Sequence, residues 1–292
     1  MRVLVTGGNA GIGYFAAEQL ASAGAEVVIG SRDPVKAQAA IGSILSRVPG
    51  AKVGHVRLDL ADLGSLEPDA GVLDAVLCNA GVALDAPPRR ETADGHELMF
   101  GTNHLGHFAL IARLLPVLAP AARIVTTGSF AAKSARLDFA DLQSERDYQP
   151  KRAYERSKLA QMLFALELDR RLRAAGARQV SVLAHPGGAL DSLTPSRPPV
   201  HTRTTGAWLR GLPARLVLHG KDAGARPAVR AVLDPDVEGG RLWGPRVFGL
   251  RGRPRLEQRW ANLTDDAAAA RLWTESVALT GVEPLAWRRP GG

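Results

Sequence analysis

Short apolar runs alternate with longer amphipathic stretches along the first two thirds of the chain. The apolar runs are rich in valine, isoleucine and leucine without regular polar alternation, which is typical of strands buried on both faces of a parallel sheet. Six such strands are predicted, at residues 2–6, 26–30, 52–58, 73–78, 123–128 and 180–184. Because helical periodicity separates most of them, the sequence predicts an α/β fold. We expect one doubly wound domain over residues 1–292, with a mostly parallel sheet and helices on both faces.

The helical stretches differ in length and in how clearly they end. Predicted helices cover residues 14–23, 35–47, 95–118, about 150–175, 221–233 and 264–279, with a small one near 64–69. Thr264 with Asp265 is the predicted cap of the last helix. Residues 240–249 are a predicted turn and edge strand, and the tail 288–292 is expected to fray. Prolines and glycines interrupt residues 189–216, which we interpret as an irregular substrate-binding flap with a short helix.

Composition and charge restrict the classes of function. No apolar run approaches the ~20 residues that span a bilayer. We therefore expect no membrane contact. Because the first strand begins at residue 2, we also expect no signal peptide and a cytoplasmic location. The formal charge is +8, but arginines are scattered and aromatic residues make up only 5%, which favours a basic surface for anionic small ligands over nucleic-acid binding. The one cysteine, Cys78, is predicted to be buried in a strand.

Four glycines stand between the first predicted strand and the first helix: Gly7, Gly8, Gly11 and Gly13. Glycine lets the backbone turn tightly and approach phosphate oxygens closely, and the helix that follows directs its positive N-terminus at them. With a second strand after the helix, this is the βαβ unit of a Rossmann-type dinucleotide site.

The second strand ends at Ser31, Arg32 and Asp33. A carboxylate at this point usually binds free ribose hydroxyls, whereas an arginine matches a 2′-phosphate. Ser31 and Arg32 therefore favour NADP over NAD, while Asp33 keeps NAD as the less favoured cofactor. Asp33 before Pro34 also fits the N-cap of the next helix.

Tyr154 and Lys158 lie four residues apart on a predicted helix, and therefore on one face a turn apart. An adjacent ammonium favours a phenolate over a phenol, which suits proton transfer to or from a hydroxyl. The pair alone also occurs by chance on solvated helices, so its meaning depends on the other motifs. His104 and His107 invite a metal hypothesis, but no third ligand is placed as in zinc helices, and no metal is predicted.

Four motifs occur in a fixed order: Thr6-Gly7-x-x-x-Gly11-Ile12-Gly13, Asn79-Ala80-Gly81, Ser129 and Tyr154-x-x-x-Lys158. In this order and spacing, the chain resembles the short-chain dehydrogenase/reductase superfamily over residues 3 to about 190. Residues 103–108 and 154–160 are most similar to the branch that contains the retinol dehydrogenases and the WW-domain oxidoreductase. The C-terminal third matches loosely, through Trp243-Gly244-Pro245 and Leu272-Trp273.

The resemblance implies roles for individual residues. Tyr154 would be the general acid/base, Lys158 would hold the ribose hydroxyls and favour the phenolate, and Ser129 would donate a hydrogen bond to the substrate oxygen. Asn103 would support a water that links Lys158 to solvent. Cofactor-binding residues expected from the resemblance and from the motifs are Gly7, Asn9, Gly11, Ile12, Ser31, Arg32, Asp59, Leu60, Asn79, Ala80, Gly81, Tyr154, Lys158, Pro186 and Gly187.

The chain also departs from the family pattern. Residues 190–192 occupy the stretch where a threonine commonly contacts the nicotinamide amide. Cys78 replaces the first of two paired asparagines, and Thr126-Thr127-Gly128 precedes Ser129 where the family usually has Asn-x-Ser. These departures affect cofactor-loop details and substrate identity more than the type of reaction.

The expected function is an NADP(H)-dependent oxidoreductase that transfers a hydride between the nicotinamide and an alcohol or carbonyl substrate. Apolar flap residues suggest that this small molecule is lipophilic: Leu190, Leu193, Trp208 and Leu209. The resemblance further implies a homodimer or homotetramer formed through the helices that carry Asn103 and Tyr154.

Two other classes of function fit parts of the sequence. One is a catalytically silent, NADP-sensing binding protein, which a broad substrate screen without turnover would favour. The other is a Rossmann-type transferase with a nucleotide-like donor, in which Tyr154 and Lys158 would be idle. The intact set of Ser129, Tyr154, Lys158 and Asn103 speaks against both.

Overall fold

Eight strands form one sheet in a computed structural model that describes residues 1–67 and 69–286. The strands are β1 (Arg2–Thr6), β2 (Glu26–Ser31), β3 (Val53–Arg57), β4 (Ala75–Cys78), β5 (Arg123–Thr127), β6 (Val180–Ala184), β7 (Leu242–Val247) and β8 (Arg251–Glu257). Their order is β3-β2-β1-β4-β5-β6-β7-β8, with every neighbouring pair parallel except β7 and β8. The predicted α/β fold is confirmed. The strand order reverses between β1 and β4, and ligand crevices form at the carboxyl ends of strands at such a point.

Helices lie on both faces of this sheet. They are α1 (Gly11–Ser22), α2 (Pro34–Leu45), α3 (Leu98–Phe100), α4 (Gly106–Leu114), α5 (Pro150–Ala174), α6 (Thr205–Gly211), α7 (Lys221–Leu233) and α8 (Asp266–Thr280). A π-helical turn, Gly101–Leu105, joins α3 to α4. Within the described ranges, no helix combines the length and apolarity that a membrane crossing requires.

Successive strand side chains alternate between two helical layers. Val3 and Val5 of β1 pack in a core shared with α1, α2 and α7, whereas Leu4 packs in a second core with α4, α5 and α8. All three side chains are fully buried. Burial on both faces is the reason that the strands carry apolar residues at consecutive positions.

The C-terminal helix α8 packs on α4 and α5. The Trp273 ring lies 5.2 Å from the Phe108 ring and 5.8 Å from the Phe164 ring, measured between centroids. The Arg171 guanidinium stands over Trp273 at 4.4 Å from the ring centroid. These contacts combine aromatic packing with a cation–π interaction, so they attach the end of the chain to the layer that carries the candidate site.

Several sequence-based element predictions need correction. The helix predicted over 95–118 begins at Leu98 and contains the π-helical turn, and the helix predicted near 64–69 is a 3₁₀ turn at Leu63–Ser65. Within residues 240–249, β7 pairs on both sides; the edge strand is the unpredicted β8. The cap of α8 is Asp265, whose carboxylate accepts from Ala268 N at 2.9 Å.

Two other predicted segments have separate outcomes. Residues 189–216 do form an irregular connection with a short helix, since α6 is flanked by 3₁₀ turns at Asp191–Leu193 and Leu212–Leu216. The tail 288–292 lies outside the described residues.

Candidate active site

A cavity of about 810 Å³ opens at the carboxyl ends of β1, β2, β4 and β5. The sequence-predicted residues that line it are Gly7, Asn9, Gly11, Ile12, Ser31, Arg32, Asp59, Leu60, Asn79, Ala80, Gly81, Ser129, Tyr154, Lys158 and Pro186. Two predicted residues, Asn103 and Gly187, are not part of its lining. Lining residues that sequence reasoning did not single out include Val82, Thr102, Lys36 and Lys221.

The glycine-rich turn lines the cavity at the start of α1. Gly7 has φ +66°, a conformation that side chains disfavour, and a Cβ on Gly13 would collide with Gly7 O and the Asn79 side chain. The N-cap residue, Ala10, offers no side-chain acceptor to the first N–H groups of α1, and no acidic residue lies in its first turn. This helix end is therefore suited to an anion such as a pyrophosphate.

Thr6 ties the ends of β1 and β4 together. Its Oγ1 is fully buried and accepts from Asn79 N at 2.8 Å and from Ala80 N at 2.9 Å. The Asn79 amide also donates to Thr6 O at 3.2 Å. These hydrogen bonds fix the start of the Asn79-Ala80-Gly81 segment against the end of β1.

The end of β2 presents cations to the cavity. Asp33 caps α2, since its Oδ1 accepts from Lys36 N at 3.0 Å, as the alternative interpretation of this residue predicted. Arg32 is exposed, and it has no ion-pair partner among the residues that the structure covers. Lys36 lies on the first turn of α2 with its Nζ 3.7 Å from Asp33. Its place three residues after the cap was the signal in the sequence that could have identified it.

Ser129, Tyr154 and Lys158 come to the same cavity from two elements. Ser129 follows β5, and its Oγ accepts from Ala131 N at 3.2 Å, which leaves its hydroxyl hydrogen free to donate. Tyr154 and Lys158 stand a turn apart on α5. The helix α5 and the end of β5 thus bring a phenol, a hydroxyl and an ammonium to one cavity.

Lys158 is nearly fully buried, at 4% exposure. Its Nζ donates to Thr127 O at 2.8 Å and to Gln161 Oε1 at 2.6 Å. Burial lowers the pKa of Lys158 to about 8, with the Cys78 thiol as a smaller opposing influence. Cys78 is buried at the end of β4, as predicted, and burial raises its pKa to about 12.

Asn103 reaches the site indirectly. Its side chain accepts from Val82 N at 2.7 Å and donates to Val82 O at 3.0 Å and Ser157 Oγ at 2.9 Å. These bonds join the π-helical turn to the loop after β4 and to α5. π-Helical turns recur at functional sites. The water-supporting role of Asn103 stays a prediction from the resemblance.

The two histidines have separate protein partners. His104 Nε2 lies 2.7 Å from Ser276 Oγ of α8, whereas His107 Nε2 lies 3.0 Å from Thr6 Oγ1. Burial lowers the pKa of His104 to about 3 and that of His107 to about 4, so both rings are neutral. The described residues include no group of His, Cys, Asp and Glu suited to a metal ion.

The loop after β6 completes the cavity. Pro186 lines it, while Gly187, with φ +67°, packs behind against the backbone of Leu250. Lys221, at the start of α7, also lines the cavity, and its Nζ lies 2.5 Å from Asp191 Oδ1. No sequence pattern pointed to this lysine, because only the fold brings it beside Pro186. Residues 189–216 do not contribute to the lining, so their role as a substrate wall stays a prediction.

Comparison with known proteins gives an independent result. The family model for short chain dehydrogenases matches residues 1–188. Polyprenol dehydrogenase of Mus musculus is 36% identical over 292 residues, which cover 95% of this chain and 83% of that protein. Retinol dehydrogenase 13 of Homo sapiens is 35% identical over 292 residues, covering 96% and 85%.

Solved structures agree with these relatives. A crystal structure from Mycobacterium Paratuberculosis superposes with a TM-score of 0.77 at 37% identity and covers 97% of this chain and 94% of that one. Agreement of this extent, in sequence and in fold, means that this chain belongs to the short-chain dehydrogenase family and is an NAD(P)-dependent short-chain dehydrogenase/reductase.

Proposed function

We propose that this enzyme transfers a hydride between NADP(H) and a lipophilic alcohol or carbonyl compound, with Tyr154 as general acid/base. One observation carries the proposal: Tyr154, Ser129 and Lys158 line the same cavity as the glycine-rich turn that begins α1. A proton donor, a hydrogen-bond donor and a dinucleotide cradle in one cavity are the parts that a carbonyl reduction requires.

The residues of the cavity fit an anionic dinucleotide. The start of α1 offers free N–H groups to a pyrophosphate, and Lys221, whose ammonium pairs with Asp191, also lines the cavity. At the far end, Arg32 and Lys36 would bind a 2′-phosphate, while the Asp33 carboxylate, which could bind free ribose hydroxyls, caps α2 instead. This arrangement supports NADP over NAD.

The bound cofactor supplies or accepts the hydride. In the reductive direction, Tyr154 Oη donates a proton to the substrate oxygen, and in the oxidative direction it accepts one. Ser129 Oγ donates a hydrogen bond to that oxygen as negative charge develops. The Lys158 ammonium attracts the negative charge that forms on the phenol oxygen, and one of its N–H groups is free for a ribose hydroxyl.

Two features support a lipophilic substrate. Retinol and polyprenols, from which the two relatives take their names, are long apolar alcohols. On this chain, Leu216 is 81% exposed and Phe248 85% exposed. The β7–β8 turn that carries Phe248 is held beside Leu216 by the Arg251 guanidinium, which donates to Leu216 O at 2.9 Å. Exposed large apolar side chains are typical of binding surfaces for apolar ligands.

The test uses purified protein with NADPH and all-trans-retinal as a probe pair. We expect the wild type to oxidise NADPH in the presence of the aldehyde, and Tyr154→Phe to lose turnover by roughly 10²–10⁴-fold, because a positioned proton donor contributes about that much. NADPH fluorescence should show cofactor affinity within a few fold of wild type.

Tyr148→Phe is the matched control, because Tyr148 lies outside the cavity lining and the variant loses the same hydroxyl. It should keep turnover within about twofold, the level expected for a change away from the reacting groups. Retained turnover in Tyr154→Phe would refute the assignment. Absence of turnover with a wide series of aldehydes, despite NADPH binding, would favour a cofactor-sensing protein.

A further inference from the structure

Gln161 is a buried amide with no part in the mechanism above. It lies on α5 three residues after Lys158 and is 0% exposed. Its Oε1 accepts a hydrogen bond of 2.6 Å from Lys158 Nζ. Burying an amide without need is costly, so a fully buried glutamine that contacts the central lysine requires an explanation.

The Lys158 ammonium is held by two neutral acceptors. Thr127 O accepts from Nζ at 2.8 Å, on the side of β5, and Gln161 Oε1 accepts on the side of α5. Among the described residues, Lys158 forms no ion pair with a carboxylate. An ammonium has three N–H donors, so this pair of acceptors fixes two and leaves the third for a ligand. Neutral acceptors stabilise the charge without cancelling it.

Gln161 lies beside other buried polar groups. Its Nε2 lies 3.2 Å from His107 Nδ1, and His107 Nε2 lies 3.0 Å from Thr6 Oγ1. Asn103 O lies 2.9 Å from His107 Nδ1 and can only accept, so Nδ1 carries the proton and donates to it. Gln161 Nε2 and the protonated His107 Nδ1 are then both donors, so these two side chains are packed neighbours without a hydrogen bond between them. The Thr6 hydroxyl lies 3.0 Å from His107 Nε2 and 3.3 Å from Leu77 O, and its oxygen accepts from Asn79 N and Ala80 N. The hydrogen bond that fixes the Gln161 amide is therefore the one from Lys158.

We propose that Gln161 is the positioning residue for Lys158: its amide oxygen holds the ammonium in place and keeps it charged, so that the free N–H points at the ribose of the cofactor. The inference rests on the proposed function for the identity of the cofactor. The helix α5 then has two roles, because it carries Tyr154 and, two turns later, the residue that positions Lys158.

The surroundings of Lys158 define what a change at Gln161 should do. Tyr154 shares its helix and cavity, the neutral Cys78 thiol faces it from β4, and the neutral His107 faces it from α4. Removing the amide acceptor makes the buried charge less stable and lowers the lysine pKa further below about 8. A carboxylate in the same place makes the charge more stable and raises that pKa.

The experiment measures NADPH affinity by fluorescence between pH 6.5 and 10 for the wild type, Gln161→Met and Gln161→Glu. Affinity for the anionic cofactor should fall as the lysine loses its proton. We expect the midpoint of that fall to move down by roughly one pH unit in Gln161→Met and up by roughly one unit in Gln161→Glu, the size of shift that gain or loss of one close polar partner produces. Lys158→Met should abolish the transition.

Gln179→Glu is the matched control, because Gln179 is also buried but lies at the start of β6, away from Lys158. It should keep the wild-type midpoint. Opposite displacement in the two Gln161 variants is a result that a packing defect does not give, and it supports the inference. An unchanged midpoint in Gln161→Glu, displacement of both variants in one direction, or a transition that persists in Lys158→Met overturns it.

The outcome is separable from the proposed function, since no turnover is measured. Diverging midpoints in a protein that reduces no aldehyde would retain the role of Gln161 and remove the proposed reaction. Turnover by the wild type with coincident midpoints would do the reverse. Gln161→Glu preserves side-chain length, so its midpoint tests the role of Gln161 even where Gln161→Met does not fold.

Discussion

Arg32 and Asp33 are neighbours at the end of β2, but only the Asp33 side chain has a hydrogen-bond partner in the described chain. The Asp33 carboxylate accepts the Lys36 N–H at the start of α2, and that hydrogen bond is the main reason that the pKa of Asp33 lies below its usual range. One of its oxygens, Oδ1, serves as the helix cap, and the other, Oδ2, lies 3.7 Å from the Lys36 ammonium. Arg32 lines the cavity and has no acidic partner in the described chain, so it is available to a phosphate.

Replacing Arg32 by alanine should therefore discriminate between the two cofactors. A charge-assisted hydrogen bond to phosphate contributes about 1.5–3 kcal/mol, and the exposure of Arg32 places the expected effect at the lower end. We expect Arg32→Ala to weaken NADPH binding by roughly tenfold and NADH binding by less than twofold. Titrations followed by nicotinamide fluorescence measure both.

Arg178→Ala is the charge-matched control. Arg178 is exposed and precedes β6, so it lies at the opposite end of the parallel strands from the cavity. It removes the same charge from the molecule, and NADPH affinity should be unchanged. Equal losses of NADPH and NADH affinity in Arg32→Ala would mean that the arginine does not recognise the 2′-phosphate.

At the scale of single residues, the sequence identified most of the cavity because its motifs are local. Gly7 to Gly13 and Asn79 to Gly81 are contiguous segments at strand ends, and a strand end in a parallel sheet has a known place. The contacts of Gln161 and Lys221 could not be found in this way. Both sets of contacts depend on the tertiary structure, and a single sequence does not show which distant residues come into contact.

At the scale of elements, the predictions from the sequence were wrong where tertiary packing determines the backbone conformation. The π-helical turn at Gly101–Leu105 has no separate hydrophobic period, and Gly106 approaches Leu60 so closely that a Cβ would collide with its carbonyl oxygen. The β8 strand was missed because its arginines and proline lack an apolar pattern. It is an edge strand with only half-buried and exposed residues, and such strands need no buried face.

The π-helical turn also places a neutral histidine in the interior, with a consequence for stability. Burial lowers the pKa of His104 to about 3, compared with 6.5 for an exposed histidine. A folded-state pKa below the unfolded value means that its contribution is fully present above pH 6.5 and is lost as the pH falls from 6.5 towards 3. Between these two pH values, His104 binds a proton in the unfolded chain but not in the folded chain.

We expect His104→Phe to reduce the pH dependence of the free energy of unfolding between pH 6.5 and 4.5 by roughly 1 kcal/mol per pH unit. The phenyl ring would extend the contacts that His104 already makes with Phe100 and Phe108. Urea unfolding at a series of pH values measures this slope. Ser276→Ala removes the hydrogen-bond partner but keeps the imidazole, so it should keep the wild-type slope. A wild-type slope in His104→Phe would show that this histidine does not take part in acid unfolding.

At the scale of the whole molecule, α8 occupies a surface that the family resemblance assigned to oligomer contacts. Phe108 of α4 and Phe164 of α5 are buried within one chain, and Trp273 of α8 covers both. His104 in the π-helical turn bonds to Ser276 of the same helix. An interface through the face of these helices that carries Phe108 and Phe164 would have to displace α8, which would expose the buried aromatic side chains to water.

We therefore expect the protein to be a monomer, and light scattering after gel filtration at tens of micromolar should give a mass near 31.0 kDa. Trp273→Ala should destabilise the fold by roughly 3–5 kcal/mol, the usual cost of truncating a buried tryptophan, and should promote self-association because it uncovers Phe108 and Phe164. Thr274→Ala, at the exposed neighbouring position of α8, should change neither property. A stable dimer of the wild type would contradict the expected monomer. A dimer that Trp273→Ala leaves intact would further show that the covered face takes no part in association.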